Sequence, residues 1–85
     1  MIDPREFVKV VFIQTASNNP EIQFFEYEKR YCDITLDLSL VVSYSNYINQ
    51  QGRIDPQVTE VVVQGSMVPI HIRISYNEFN TIMQP

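Results

Sequence analysis

The sequence predicts an α+β fold that is mostly β: a small antiparallel sheet of about four to five strands with a short C-terminal helix. Three observations carry that expectation. Ile34, Leu36, Leu38, Leu40 and Val42 alternate with Thr35, Asp37, Ser39, Val41 and Ser43, which is the period of a strand. Residues 58–63 and 67–74, both rich in β-branched side chains, flank Gln64-Gly65-Ser66 as the arms of a hairpin flank their turn. Ser75-Tyr76-Asn77-Glu78 then has the spacing of a capping box, followed by Phe79, Ile82 and Met83 at helical intervals. The 85 residues leave room for one domain, 1–85, and a hydrophobic fraction of 45% with 19% charged suits a folded globular chain.

Taken in order, Asp3-Pro4 opens the chain in a turn or extended conformation. Residues 7–15 (FVKVVFIQT) are β-branched and aromatic, too short for a helix, and stop at Ser17-Asn18-Asn19-Pro20, so they read as a strand buried on both sides. Residues 22–31 resume with β-formers. Gln23, Phe25, Tyr27, Lys29 and Tyr31 share one face, and the other begins apolar and ends charged, which suits a long strand whose far end projects past the core. The alternating strand from Ile34 follows, with space for one helical turn near Leu38. Residues 45–56 (SNYINQQGRIDP) read as a polar loop, either plain solvated surface or a contact loop using Tyr44, Tyr47 and Arg53.

The hairpin after that loop is specific enough to assign a register. With Gly65-Ser66 as a two-residue turn, Val63 faces Val68, Val61 faces Ile70 and Thr59 faces Ile72 on an apolar face, while Glu60 faces His71 on the solvent face. Pro69 has no N–H for a ladder, so its strand reads as an edge, or its nitrogen faces outward.

Composition excludes several functions. Six Lys and Arg against ten Asp and Glu give a net charge of -4, and Arg5, Lys9, Lys29, Arg30, Arg53 and Arg73 are dispersed, which argues against nucleic acid as the main partner. Cys32 is the one cysteine, so neither an internal disulfide nor a cysteine metal site can be assembled, and a reducing, cytoplasmic setting fits. In a β-rich segment it reads as a small buried hydrophobe. There is no apolar run of membrane length and no basic, apolar start of a leader, so no membrane partner is expected. With two Gly in the whole chain no phosphate-cradling loop is available.

His71 is the single imidazole, and its neighbour across the hairpin is Glu60. A carboxylate beside an imidazole is what a general-base dyad needs, yet it is also what an ordinary cross-strand ion pair looks like, and no nucleophile stands next to it. Glu26 and Glu28 are the one acidic pair that converges locally, short of a metal site. Neither an enzyme nor a cofactor is expected. The tyrosines say more. Tyr27, Tyr31, Tyr44 and Tyr47 exceed what a small core needs, and tyrosine supplies interface area at low entropic cost. With Arg53 and Arg73 they are the candidate contact residues, for a protein partner or for a nucleotide stacked between rings and guanidinium groups.

Ile34-Thr35-Leu36-Asp37, Val41-Val42-Ser43-Tyr44, Thr59-Glu60-Val61-Val62-Val63, Gly65, Ile70-His71-Ile72-Arg73 and Ser75-Tyr76-Asn77-Glu78 form a pattern over residues 34–83 that resembles the small flagellar FlbD-like proteins. Asp37-Leu38 stands where that family has Asn-Pro. The resemblance implies a non-enzymatic accessory protein.

The function expected is therefore a protein-binding module that occupies a partner's surface and forms a homo-oligomer, because so short a chain is short of buried apolar area. One version is an inhibitor encoded by a phage or mobile element that blocks a nucleic-acid-binding enzyme with its carboxylates. The alternative is a sequestering protein for a small ligand or nucleotide, with its site at an oligomer interface.

Overall fold

A computed structural model describes residues 4–15 and 26–84, without the side chains of residues 14, 15, 26 and 27. The expected turn at 17–20 and the start of the strand expected over 22–31 lie outside the described residues. Strands β1 (Arg5–Thr15), β2 (Glu26–Leu36), β3 (Val41–Ile48), β4 (Ile54–Val63) and β5 (Ile70–Ile72) form one antiparallel sheet, and helix α1 spans Tyr76–Met83. The strand order is β2-β1-β5-β4-β3. The mostly β, α+β architecture expected from the sequence is the one found.

Residues directly opposed in an antiparallel ladder share a face. Phe7 pairs with Ile34, Lys9 with Ile72, Ile72 with Thr59, and Val61 with both Ile70 and Tyr44, so all of these lie on one side of the sheet. Helix α1 covers that side. Its Phe79 is fully buried against Leu36, Leu38, Val61 and Ile72, with Ile82 and Met83 packed around it. Ser75 caps the helix as its spacing predicts, its Oγ accepting the Glu78 N–H at 3.2 Å. Thr59, also fully buried, satisfies its hydroxyl by donating to the Ile74 carbonyl at 2.8 Å.

The register Thr59↔Ile72, Glu60↔His71 and Val61↔Ile70 is the one read from the sequence. The expected Val63–Val68 pair is absent, because the turn sits one residue earlier. Ser66 N–H donates to the Val63 carbonyl at 3.2 Å, with Gly65 at φ +83°. Met67 and Val68 are thereby looped out of the ladder, held by the Ser66 hydroxyl against Val68. Nor is Pro69 on an edge strand. It precedes β5, which lies between β1 and β4, so no ladder bond is lost.

Two further boundaries differ. The expected break at Cys32-Asp33 does not occur: β2 runs through it, and the chain turns instead at a 3-10 segment, Leu38–Leu40, where Asp37 caps Ser39 N–H at 3.0 Å. The expected loop 45–56 is mostly strand. β3 and β4 continue into it, and the connection shrinks to a turn in which Asn49 Oδ1 accepts the N–H groups of Gln51 and Arg53. β1 is not buried on both sides, since Val11 is exposed and only Val10 is fully covered among its described side chains. The cause is the brevity of β5, which leaves the outer part of β1 with β2 as its one ladder neighbour among the described residues. Cys32 is exposed on the edge strand β2 rather than buried.

Candidate functional site

The sheet face opposite the helix is built from residues of opposite parity, Val10 and Phe12 of β1, Val58 and Glu60 of β4 and His71 of β5. Among the described residues no helix packs on it. It is covered by the β3–β4 hairpin tip, which reaches across because β4 carries extra residues between the pairs Asn46↔Thr59 and Tyr47↔Asp55. Tyr47 is thereby buried in a small cluster with Val10 and Val58. It stacks on Phe12 at 5.0 Å between ring centroids and meets the His71 imidazole at 4.5 Å with the two rings tilted by 60°.

His71 Nε2 lies 3.3 Å from Glu60 Oε1, the cross-strand pair expected from the register. The sequence places the pair on open solvent, whereas the structure places the imidazole under Tyr47 and edge-on to Phe12, about one-fifth exposed. The hairpin tip is fastened by Lys29 Nζ, which donates to Asp55 Oδ2 at 2.9 Å and so links β2 to the start of β4. That hydrogen bond holds the Lys29 ammonium above its usual range, against the opposing pull of partial burial. Burial alone would raise the Asp55 carboxyl. The bonds from Lys29 and from the Gln57 N–H outweigh it and hold the carboxyl below its usual range.

The six candidate contact residues do not form one patch. Tyr27 has no described side chain. Tyr44 faces the helix, donating its hydroxyl to Asn80 Oδ1 at 2.6 Å and packing edge-on to Phe79. Tyr47 belongs to the cluster on the opposite face. Arg53 is exposed in the β3–β4 turn. Tyr31 and Arg73 are brought together, the guanidinium 4.8 Å from the ring centroid of an exposed tyrosine. Arg73 also lines an open cleft of about 340 Å³ with Pro56, Gln57, Ile74, Ser75 and Glu78. Among the described residues no group of three His, Cys, Asp or Glu could hold a metal ion.

Two features escape the sequence reading. The first is an apolar tip. The Gln64 N–H donates to the Leu40 carbonyl at 2.7 Å, which sets the start of β3 beside the turn leading into Met67 and Val68. Leu40, Val42 (67% exposed), Met67 (99%) and Val68 (69%) therefore meet solvent at one end of the sheet. Ser66 followed by Pro69 was the available signal that Met67 and Val68 lie outside a ladder. The second is the later half of β3, residues 45–48, which is edge strand where a loop was expected.

Compared with known proteins, the chain matches no protein-family model, no curated protein and no solved structure. Among the described residues no helix is long and apolar enough to cross a membrane.

Proposed function

We propose that this protein is a non-enzymatic binding module that acts by occupying the surface of a partner protein, and that it does so as an oligomer. The observation that supports this reading most directly is the apolar tip of Leu40, Val42, Met67 and Val68. A small sheet protein gains nothing in its own stability from side chains as exposed as Met67, whereas apolar side chains left open to solvent at one end of a small domain suit a protein contact. Capture from lysates of cells that naturally make the chain, compared between the wild type and Met67→Asp/Val68→Asp, tests it. A protein recovered only by the wild type, and titrating against it in solution, supports the reading; identical recovery by both overturns it.

A second reading is favoured by Arg73, which lines the open cleft and whose guanidinium also stands over the Tyr31 ring, a cation and an aromatic surface of the kind that takes a small anionic ligand such as a nucleotide. Calorimetric titration with nucleoside phosphates separates the two, since binding lost in Arg73→Gln but kept in the tip variant belongs to this second reading.

A further inference from the structure

The two edges of the sheet differ in kind. β2 carries Glu28, Lys29, Arg30 and Asp33, the charge by which sheet edges resist pairing. β3 (VVSYSNYI) contains no charged residue, and Val42 and Ile48 on it are 67% and 61% exposed. Which of its backbone groups are unpaired follows from the ladder. Arg73 N–H donates to the Val8 carbonyl, so Ile72 turns its own groups away from β1 and toward Thr59. Alternation then directs Thr59 and Val61 to β5, and Glu60 and Val62 to Ser45 and Ser43 of β3. The N–H and C=O groups of Tyr44 and Asn46 point outward from the last strand of the sheet.

We propose that β3 pairs antiparallel with β3 of a second copy of this chain, about a two-fold axis at Ser45, joining two five-stranded sheets into one of ten. This rests on the oligomeric part of the function proposed above and names its surface. The register is self-complementary. With Ser45 opposite Ser45, Tyr44 and Asn46 of one copy meet Asn46 and Tyr44 of the other in hydrogen-bonded pairs, and exposed Val42 meets exposed Ile48. Charge selects the same edge. Each copy carries -4, and β3 is the edge along which two such chains meet without setting any like charges opposite one another. A foreign strand would satisfy the backbone equally, but the symmetric match of Val42 with Ile48 and of Tyr44 with Asn46 is specific to a second copy.

Sedimentation of wild type, Ser45→Lys, Ser45→Glu and the edge control Thr35→Lys, from 1 to 100 μM (on the order of standard dimer affinities), tests the assignment. Ser45 and Thr35 are both exposed, so the variants should keep the wild-type circular dichroism. The expected result is a dimeric wild type and Thr35→Lys, at least tenfold weaker self-association in each Ser45 variant, and recovery of the dimer on mixing Ser45→Lys with Ser45→Glu. Amide exchange at Tyr44 and Asn46 should slow as concentration rises. A wild type that stays monomeric overturns the proposal, leaving the Met67/Val68 capture assay to judge partner binding by itself. A dimer that survives in both Ser45 variants but weakens in Thr35→Lys overturns the β3 assignment while the oligomeric reading stands.

Discussion

Lys29 Nζ on β2 lies 2.9 Å from Asp55 Oδ2 at the start of β4, joining two strands that are separated by β1 and β5 in the order of the sheet. The contact ties the β3–β4 hairpin tip down over Tyr47. The lysine is nearly half exposed and the carboxylate is not, so the pair sits between a surface ion pair and a buried one.

Removing the link has a calculable sign. Asp55 is held below its usual 3.8, so its share of stability is fully present above that value and is lost as pH falls through the lower folded value. Lys29 is held above its usual 10.5, so its share persists below that value and is lost as pH rises through the higher folded value. Lys29→Met should cost about 0.5–1 kcal/mol at neutral pH, discounted for exposure. Urea midpoints of the wild type and variant, measured from pH 7 down to pH 2 (roughly the span of carboxylate titration), should converge at the acid end. A constant gap would assign the loss to the lysine stem rather than to the charge.

Phe79 and Ser75 both serve α1 and should differ in cost. Phe79→Ala opens a cavity between Phe7, Tyr44 and the sheet and should cost about 3–5 kcal/mol. Ser75→Ala loses one capping bond and should cost about 1 kcal/mol. Urea unfolding ranks them, and the reverse order would mean that the helix is not held through Phe79.

The tyrosines should divide by face and cover. Tyr47→Ala removes the ring that lies on Phe12 and His71 and should cost about 3–4 kcal/mol, whereas Tyr31→Ala should stay within about 1 kcal/mol. Equal losses by thermal or urea unfolding would contradict the burial of Tyr47.

Gly65 has φ +83° and open space where a Cβ would project. Gly65→Ala should therefore cost about 1–2 kcal/mol from backbone conformation alone. Gly65→Asn should recover part of it, since asparagine tolerates that region. If the alanine variant matched wild type in urea, the turn would have relaxed to a different form.

Features set by local physical signals were legible in the sequence, and those set by long-range pairing were not. The register of β4 with β5 was legible from the apolar alternation of the two strands, although the turn between them sits one residue earlier than expected, and the α1 cap because Ser75 and Glu78 act within one turn. The extent of β3 was not, because its two ladder irregularities break the alternation that would have revealed it. The position of β5 between β1 and β4 was equally hidden, since Pro69 suggests an edge and nothing local announces the pairing with Lys9. For the candidate site, alternation put Tyr27 and Tyr31 on one face, but Tyr47 fell in the stretch read as a loop, so nothing local announced that it is buried against Val10 and Val58.

The three residues of β5 also set an order of events during folding. β1 with β2 and β3 with β4 are hairpins of neighbouring segments and close in microseconds, roughly, once each is synthesised. The two cannot become one sheet until Ile70–Ile72 is available, because among the described residues that strand alone makes ladder pairs with both, meeting Lys9 far back in the chain. Completion of the sheet is thus the slow, long-range step. Until then the inner edges of β1 and β4 stand open together, and that interval is when the nascent chain is most prone to pair with the wrong neighbour.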